Sequence, residues 1–508
     1  MKKYLTFVVS ALFLIQSAAI ASEPSFIPPS HWTYRSLAAL SDRGLIEQKV
    51  VPGRTALTSD NVVIMTIEAM NRAQSDSEKI NEDSVTSMRQ LVNGYKEYFT
   101  RCGYDVAKLY QDIDAFAMSA GLNAQAEAAE SLPASIALSK KAADAVNNFT
   151  LKIYKASGSG NLFISPYSIS SALSMTYAGA RDKTASEIEK VLCVQPDIHK
   201  NMASLINSIN SGPAGNATII TANAIWPAKQ KKFLNEFIDT VRNGYHAEFN
   251  QLDYRASAEK ARLAINSWVE KKTGGRIKDI IGKGILDANT PLVLTNAIYF
   301  KADWQSRFDA GDTYAEPFWV KPGQSVKTQM MHKESGGIGY TKANGAEIAE
   351  LPYRGKKLSM FIILPDKSTA ISKLENSLTP NMLETWLSSV RKQRVNLTIP
   401  KFKMEQSFDL NKMLIQMGMP SAFDTSKANF SGMDGKLDLY IGNVLHKTFV
   451  EVSEKGTEAA AATAVVMRMT AVLNPQQPAV FKADRPFIFL IRDNTTGAIL
   501  FIGRYAKP

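Results

Sequence analysis

Four runs late in the chain decide most of what it can fold into. They are LVLTNAIYF (292–300), LSMFIILP (358–365), VNLTIPKFKM (395–404) and FIFLIRDNTTGAILFIGR (487–504). Each is strand-like, and the last reads as two strands joined by a turn around Asn494 to Gly497. Helical patterns precede them from Ala134 onward. Early helices followed by many strands suggest an α+β domain with large sheets.

At 508 residues the chain exceeds one ordinary hydrophobic core, which predicts two domains. A composition shift near residue 130 marks the division. With 45% apolar and 21% charged residues, the composition is globular rather than disordered. The net charge of +11 is moderate for this length. Basic clusters at 229–232, 354–357 and 391–394 read as solvated faces, so no nucleic-acid partner is expected. Cys102 and Cys193 fall in different expected domains and read as part-buried thiols, not as a disulfide framework.

Lys2 and Lys3 precede an apolar run (4–20) that closes on the small-residue site Ala19-Ile20-Ala21. This is the pattern of a signal peptide over residues 1–21, with no cysteine following for a lipid anchor. No second stretch is apolar enough to span a bilayer as a helix. The expected destination is a bacterial periplasm, cell surface or exterior.

Between residues 22 and 75, HWTYRSLAALSDRGLIE (31–47) carries apolar residues near helical spacing until Gly44. A second helical run (62–72) follows, with Thr58 or Ser59 placed to cap it. The pattern resembles an S-layer homology module, a family that attaches exported proteins to cell-wall polymers. Residues 76–132 read as an amphipathic helical spacer and an alanine-rich linker. The large domain then runs over 133–508.

Catalytic signatures are missing from the sequence. The five histidines, His31, His199, His246, His332 and His446, form no HExxH pair and no metal-ligand spacing. Neither a G-x-S-x-G elbow nor a P-loop is present. GSGN (158–161) and GGIGY (336–340) read as glycine turns without a phosphate-loop context. No enzyme activity, cofactor or metal is expected.

The stretch EKGTEAAAATAVVMRMTAVLNP (454–475) is ambiguous by propensity. Its alanines favour helix, while Thr463, Val465 and Val466 favour strand. Its surroundings resolve the ambiguity. NLFISPYSISSALSMTYAGARDKTASEI (161–188), LVLTNAIYFKADWQSRFD (292–309), LIQMGMPSAFDTSKANFSGM (414–433), LHKTFVEVSEKGTEAAAAT (445–463) and FKADRPFIFLIRDNTTGAILFIGR (481–504) together resemble the serpin family, in family order. The resemblance implies a serpin fold with three β-sheets, about eight to nine helices and an exposed reactive loop. It also implies a monomeric suicide inhibitor of serine proteases, trypsin-, elastase- or subtilisin-like, or of cysteine proteases. The cut loop then inserts into the main sheet as a strand and traps the acyl-enzyme.

The loop residues agree with that expectation. A segment that becomes a central strand cannot contain proline, and none occurs from 454 to 474. With period two, Thr457, Ala459, Ala461, Thr463, Val465 and Met467 share one face, while Glu458 and Arg468 fall on the other. Gly456 supplies backbone freedom where the chain must swing. The expected hinge is therefore Glu454, Gly456, Thr457, Glu458, Ala459, Ala460, Ala461, Ala462 and Thr463. Non-inhibitory members commonly carry bulky, charged or proline residues there.

Family spacing counted from Glu454 puts the scissile bond between Thr470 and Ala471. Met469-Thr470 and Arg468-Met469 are alternatives, and Arg468 would suit a trypsin-like pocket. Cutting after Arg468 would shorten the inserting strand by about 7 Å. Ser165, Ser168, Asn296 and His446 match the family's polar shutter beneath the opening sheet. Trp304 matches a position at the top of the breach. Two other functions stay open: a non-inhibitory serpin acting as substrate, carrier or chaperone, or an envelope-binding or adhesion protein with the serpin as cargo.

Overall fold

Thr58 ends a short strand and starts a helix, and it does so through a reciprocal cap. Its hydroxyl accepts the Asn61 N–H while the Asn61 carboxamide accepts the Thr58 N–H. The computed structural model describes residues 26–27, 32–51, 55–120, 134–210, 217–343, 345–457 and 477–508. The chain divides into two compact units, Met1–Ala134 and Ser135–Pro508. Cys102 lies in the first and Cys193 in the second, each part-buried.

The first unit contains strands β1 (Phe26–Ile27) and β2 (Leu57–Thr58), paired antiparallel. Its helices are α1 (Trp32–Asp42), α2 (Ser59–Ser75), α3 (Glu82–Gly94), α4 (Lys96–Arg101) and α5 (Val106–Ser119). The chain turns after α1 at Gly44, whose φ of +69° suits glycine. The helices expected as a spacer share a core with the module expected over 22–75. Met88, Leu91 and Val92 of α3, with Phe99 and Ile113, share one buried cluster with Leu37, Leu40, Val62 and Met70. Asn81 caps α3, and the apolar face of that helix closes the core of α1 and α2 instead of facing solvent. The side chains of His31 and Trp32 and the alanine-rich linker (121–133) lie outside the described residues.

The second unit opens with α6 (Ala134–Ala156), β3 (Leu162–Ile164) and α7 (Pro166–Gly179). Then come β4 (Thr218–Pro227), β5 (Glu248–Phe249), β6 (Leu292–Asp303), β7 (Thr313–Lys321), β8 (Gln324–Ala343), β9 (Ala346–Pro352) and β10 (Leu358–Pro365). The rest are β11 (Arg391–Pro400), β12 (Phe402–Asp409), β13 (Asn443–Val452), β14 (Gly456–Thr457), β15 (Ala479–Lys482), β16 (Phe487–Asp493) and β17 (Ile499–Tyr505).

A six-stranded sheet runs β12-β13-β14-β6-β4-β5, and β13 also pairs directly with β6. A nine-stranded sheet runs β15-β11-β8-β9-β10-β16-β17-β3, with β7 on β8. The long β8 pairs β7 along its first part, β11 from Met330 to Tyr340, and β9 at its end from Gly339. Hydrogen bonding is therefore continuous across what the resemblance counts as two of its three sheets. α7 is buried nearly all round, touching β4 and β6 of one sheet and β17 of the other.

Two local readings change. The run 395–404 is split at Lys401, so that β11 and β12 belong to different sheets. GGIGY lies inside β8 and is not a turn. A Cβ on Gly339 would come within 2.5 Å of the Val390 side chain, so the glycine permits a close approach. Among the described residues, no helix is long and apolar enough to cross a membrane.

Candidate functional site

The two central strands of the six-stranded sheet are neighbours for most of their length. β13 pairs with β6 in parallel from Asn443↔Val293 to Phe449↔Tyr299. Beyond that they part, and β14 fills the gap. Thr457 sits opposite both Val452 of β13 and Ala302 of β6, and Gly456 sits opposite Asp303. The chain leaves β13, reverses through Ser453 to Lys455, and re-enters the sheet as the start of a new strand. The seam below is closed by direct pairing of β13 with β6.

The reversal is held by the segment after β6. Trp304 donates its backbone N–H to the Lys455 carbonyl and its indole N–H to the Ser453 carbonyl, both at 2.9 Å. The Phe308 N–H donates to the Glu454 carbonyl at 2.8 Å, and the Glu454 carboxylate pairs with Lys401 at 3.0 Å. Trp304 stacks on Tyr353 with ring centroids 4.6 Å apart. The Tyr353 hydroxyl in turn meets that of Thr457. Thr457 is fully buried, on the face expected to point inward. A Cβ on Gly456 would lie 2.1 Å from the Ala302 carbonyl oxygen, so no other residue fits without moving the backbone. Glu458, Ala459, Ala460, Ala461, Ala462 and Thr463 lie outside the described residues, as do Arg468, Met469, Thr470 and Ala471.

Midway down the seam is a polar cluster in an otherwise apolar core. Cross-strand register puts Asn296 of β6 between His446 of β13 and Asn223 of β4. Ser165 and Ser168 approach from the capped start of α7, where the Ser165 hydroxyl accepts the Ser168 N–H. The Ser165 N–H, which can only donate, points at Nε2 of His446. Nε2 is therefore the acceptor nitrogen, and the ring proton sits on Nδ1, facing the Asn296 carboxamide oxygen. The Asn296 amide donates to the Ser168 carbonyl at 2.8 Å and also meets Asn223. Burial pushes the His446 pKa down to about 3, so the ring is neutral.

The four shutter residues read from the sequence thus converge, and Asn223 completes the set. It was missed because a lone amide in TIITANAIWP matches no motif. Its one signal is a polar amide in a strand whose neighbours are buried and apolar. The His446–Asn296 bond crosses the seam between β13 and β6. Admitting a further strand there must break this bond and the ladder around it. Trp304, on the breach side, touches the hinge and not the cluster.

The match extends to whole proteins. A family model described as "Serpin (serine protease inhibitor)" matches residues 144–508. An uncharacterized serpin-like protein of Thermococcus kodakarensis is 41% identical, over 73% of this chain and 86% of that protein. The leukocyte elastase inhibitor of Equus caballus is 40% identical over 69% of this chain and 93% of its own. Among solved structures, Serpin48 of the insect Tenebrio molitor superposes with a TM-score of 0.65 at 31% identity, covering 72% of this chain and 98% of that one. The thermophilic serpin tengpin in its native state gives 0.65 at 29%, covering 72% and 94%. With sheets, hinge and sequence in agreement, the chain belongs to the serpin family.

Proposed function

We propose that this serpin is a suicide-substrate inhibitor of serine proteases, with residues 454–475 as bait. The carrying observation is the placement of Gly456 and Thr457 as a short strand between β6 and β13, above a seam that is otherwise closed. The protease serine attacks the Thr470 carbonyl, the acyl bond forms and the amine of Ala471 leaves. The freed loop then continues the strand already begun at Gly456, parting β6 from β13 and carrying the bound protease with it. The small residues from Ala459 to Thr463 suit entry into a packed sheet. A bond after Thr470 suits a small pocket of the elastase type, and the resemblance to leukocyte elastase inhibitors supports that class. Met469 and Arg468 are the alternative bonds, the latter for trypsin-like enzymes. Cysteine proteases are a further target class.

The test incubates residues 22–508 with elastase, trypsin, subtilisin and a papain-like protease. Denaturing gels and the mass of the released peptide are the readouts. A detergent-resistant complex with a peptide starting at Ala471 supports both mechanism and bond. A start at Met469 or Thr470 moves the bond. Clean cleavage without complex would make the protein a substrate or carrier.

A second reading concerns the first unit, whose own core favours an independently folded module. Export by cleavage after Ala21 would deliver it to a bacterial envelope, where residues 22–75 would attach to wall polymer. Co-sedimentation of residues 22–134 with purified cell walls tests this, and recovery in the supernatant would reject it.

A further inference from the structure

The hinge-gripping segment forms one wall of an open cleft of about 200 Å³. We propose that the cleft is a binding site for a small amphipathic anion, a carboxylate or sulfonate on an apolar body of about one ring. Lys333, Lys356 and Lys392 supply the cationic part of its wall, and Phe308, Ile338 and Leu351 supply apolar surface. No carboxylate is found among the described residues that line it.

The charge is unbalanced in a way that selects the ligand. Lys333 is part-buried and forms no ion pair among the described residues. Its ammonium donates to the Ser306 hydroxyl and the Arg307 carbonyl, and it lies 5.5 Å from the centre of the Phe308 ring. Among the described residues, two neutral acceptors leave one of its three hydrogens available. Burial lowers its pKa to about 8, so it still carries its charge at neutral pH. Lys356 and Lys392 stand exposed at the rim. Lys356 holds a left-handed backbone, φ +57°, that rarely suits a side chain. An apolar cavity of about 150 Å³ can hold benzene, so the space fits one ring with its anionic group turned toward the lysines.

The site also bears on the hinge. Trp304, Gln305, Ser306 and Phe308 line it. The N–H groups of Trp304 and Phe308 hold the Lys455 and Glu454 carbonyls. An occupant packed against these side chains restrains the segment that grips the hinge. This does not depend on the chain inhibiting any protease.

The experiment titrates residues 22–508 with 4-ethylbenzenesulfonate and with neutral 4-ethylbenzyl alcohol by calorimetry. Amide exchange of peptides covering 304–308 is followed in parallel. The expected result is one saturable site for the sulfonate, with the alcohol weaker by about ten-fold or more. Lys333→Met should weaken the sulfonate by a similar factor. The double variant Lys356→Gln/Lys392→Gln, altered only at exposed positions, should weaken it without disturbing the fold. Ligand should also slow exchange at 304–308. Equal affinity for the alcohol, or undiminished sulfonate binding in the double variant, would overturn the proposal. So would binding that leaves exchange at 304–308 unchanged.

Discussion

The hydroxyls of Tyr353 and Thr457 meet at 2.8 Å, both fully buried, 104 residues apart in sequence. Tyr353 is itself fixed by its stack on Trp304, so a rigid aromatic pair reads the first inward-facing side chain of the hinge. Thr457→Arg would force a charge into this site at a cost of several kcal/mol. The hinge should then stay out of the sheet. The variant is expected to be cut by proteases at the rate of the parent while forming no stable complex. Complexes at the parental ratio would mean that the loop inserts in another register.

Gly456→Ala probes the same entry point through the backbone. The added methyl would collide with the Ala302 carbonyl and the Asp303 Cα, main-chain atoms of a central strand that cannot rotate away. β14 should detach from β6 and β13 while the seam below, from Asn443 to Phe449, remains paired. Amide exchange should rise at Gly456 and Thr457 and stay slow in β13. Unchanged protection at Thr457 would show that the gap tolerates a side chain.

Leu91→Ala tests whether α3 belongs to the first unit's core. Leu91 is fully buried in the same cluster as Leu37 and Val62. Its truncation should destabilise that unit by about 2–5 kcal/mol. A helix serving only as a spacer would lose far less. Residues 22–134 carry this core, so urea unfolding of that fragment gives the measurement.

What the sequence made legible depended on how local the signal was. β6, β10, β16 and β17 were readable because each is predominantly apolar and strand-like, and the turn after Asp493 carries its own Asn and Gly. Thr457 was placed on the small, uncharged face by alternation, with Glu458 and Arg468 on the other. The split at Lys401 was hidden because β11 and β12 are both strand-like, and only the sheet topology separates them. α3 and α5 were visible as amphipathic helices, but periodicity does not say which core an apolar face joins. Asn223 escaped because its role exists only through cross-strand register with Asn296.

His446 makes the stability of this serpin depend on pH in a defined direction. In the unfolded chain its imidazole binds a proton near pH 6.5, whereas in the folded protein burial lowers that value to about 3. Between those values the unfolded state holds more protons, so stability is complete above about pH 6.5 and falls as the solution is acidified. The slope is about 1.4 kcal/mol per pH unit, or roughly 2 kcal/mol between pH 6.5 and pH 5. Protonation would set an Nε2–H against the Ser165 N–H, two donors facing each other across the seam. His446→Gln has no such titration. Urea unfolding at pH 7 and pH 5 should show the variant losing about 2 kcal/mol less than the parent over that interval. Equal losses would mean that His446 does not stay neutral in the folded protein, and the proton assignment at Nδ1 would have to be abandoned.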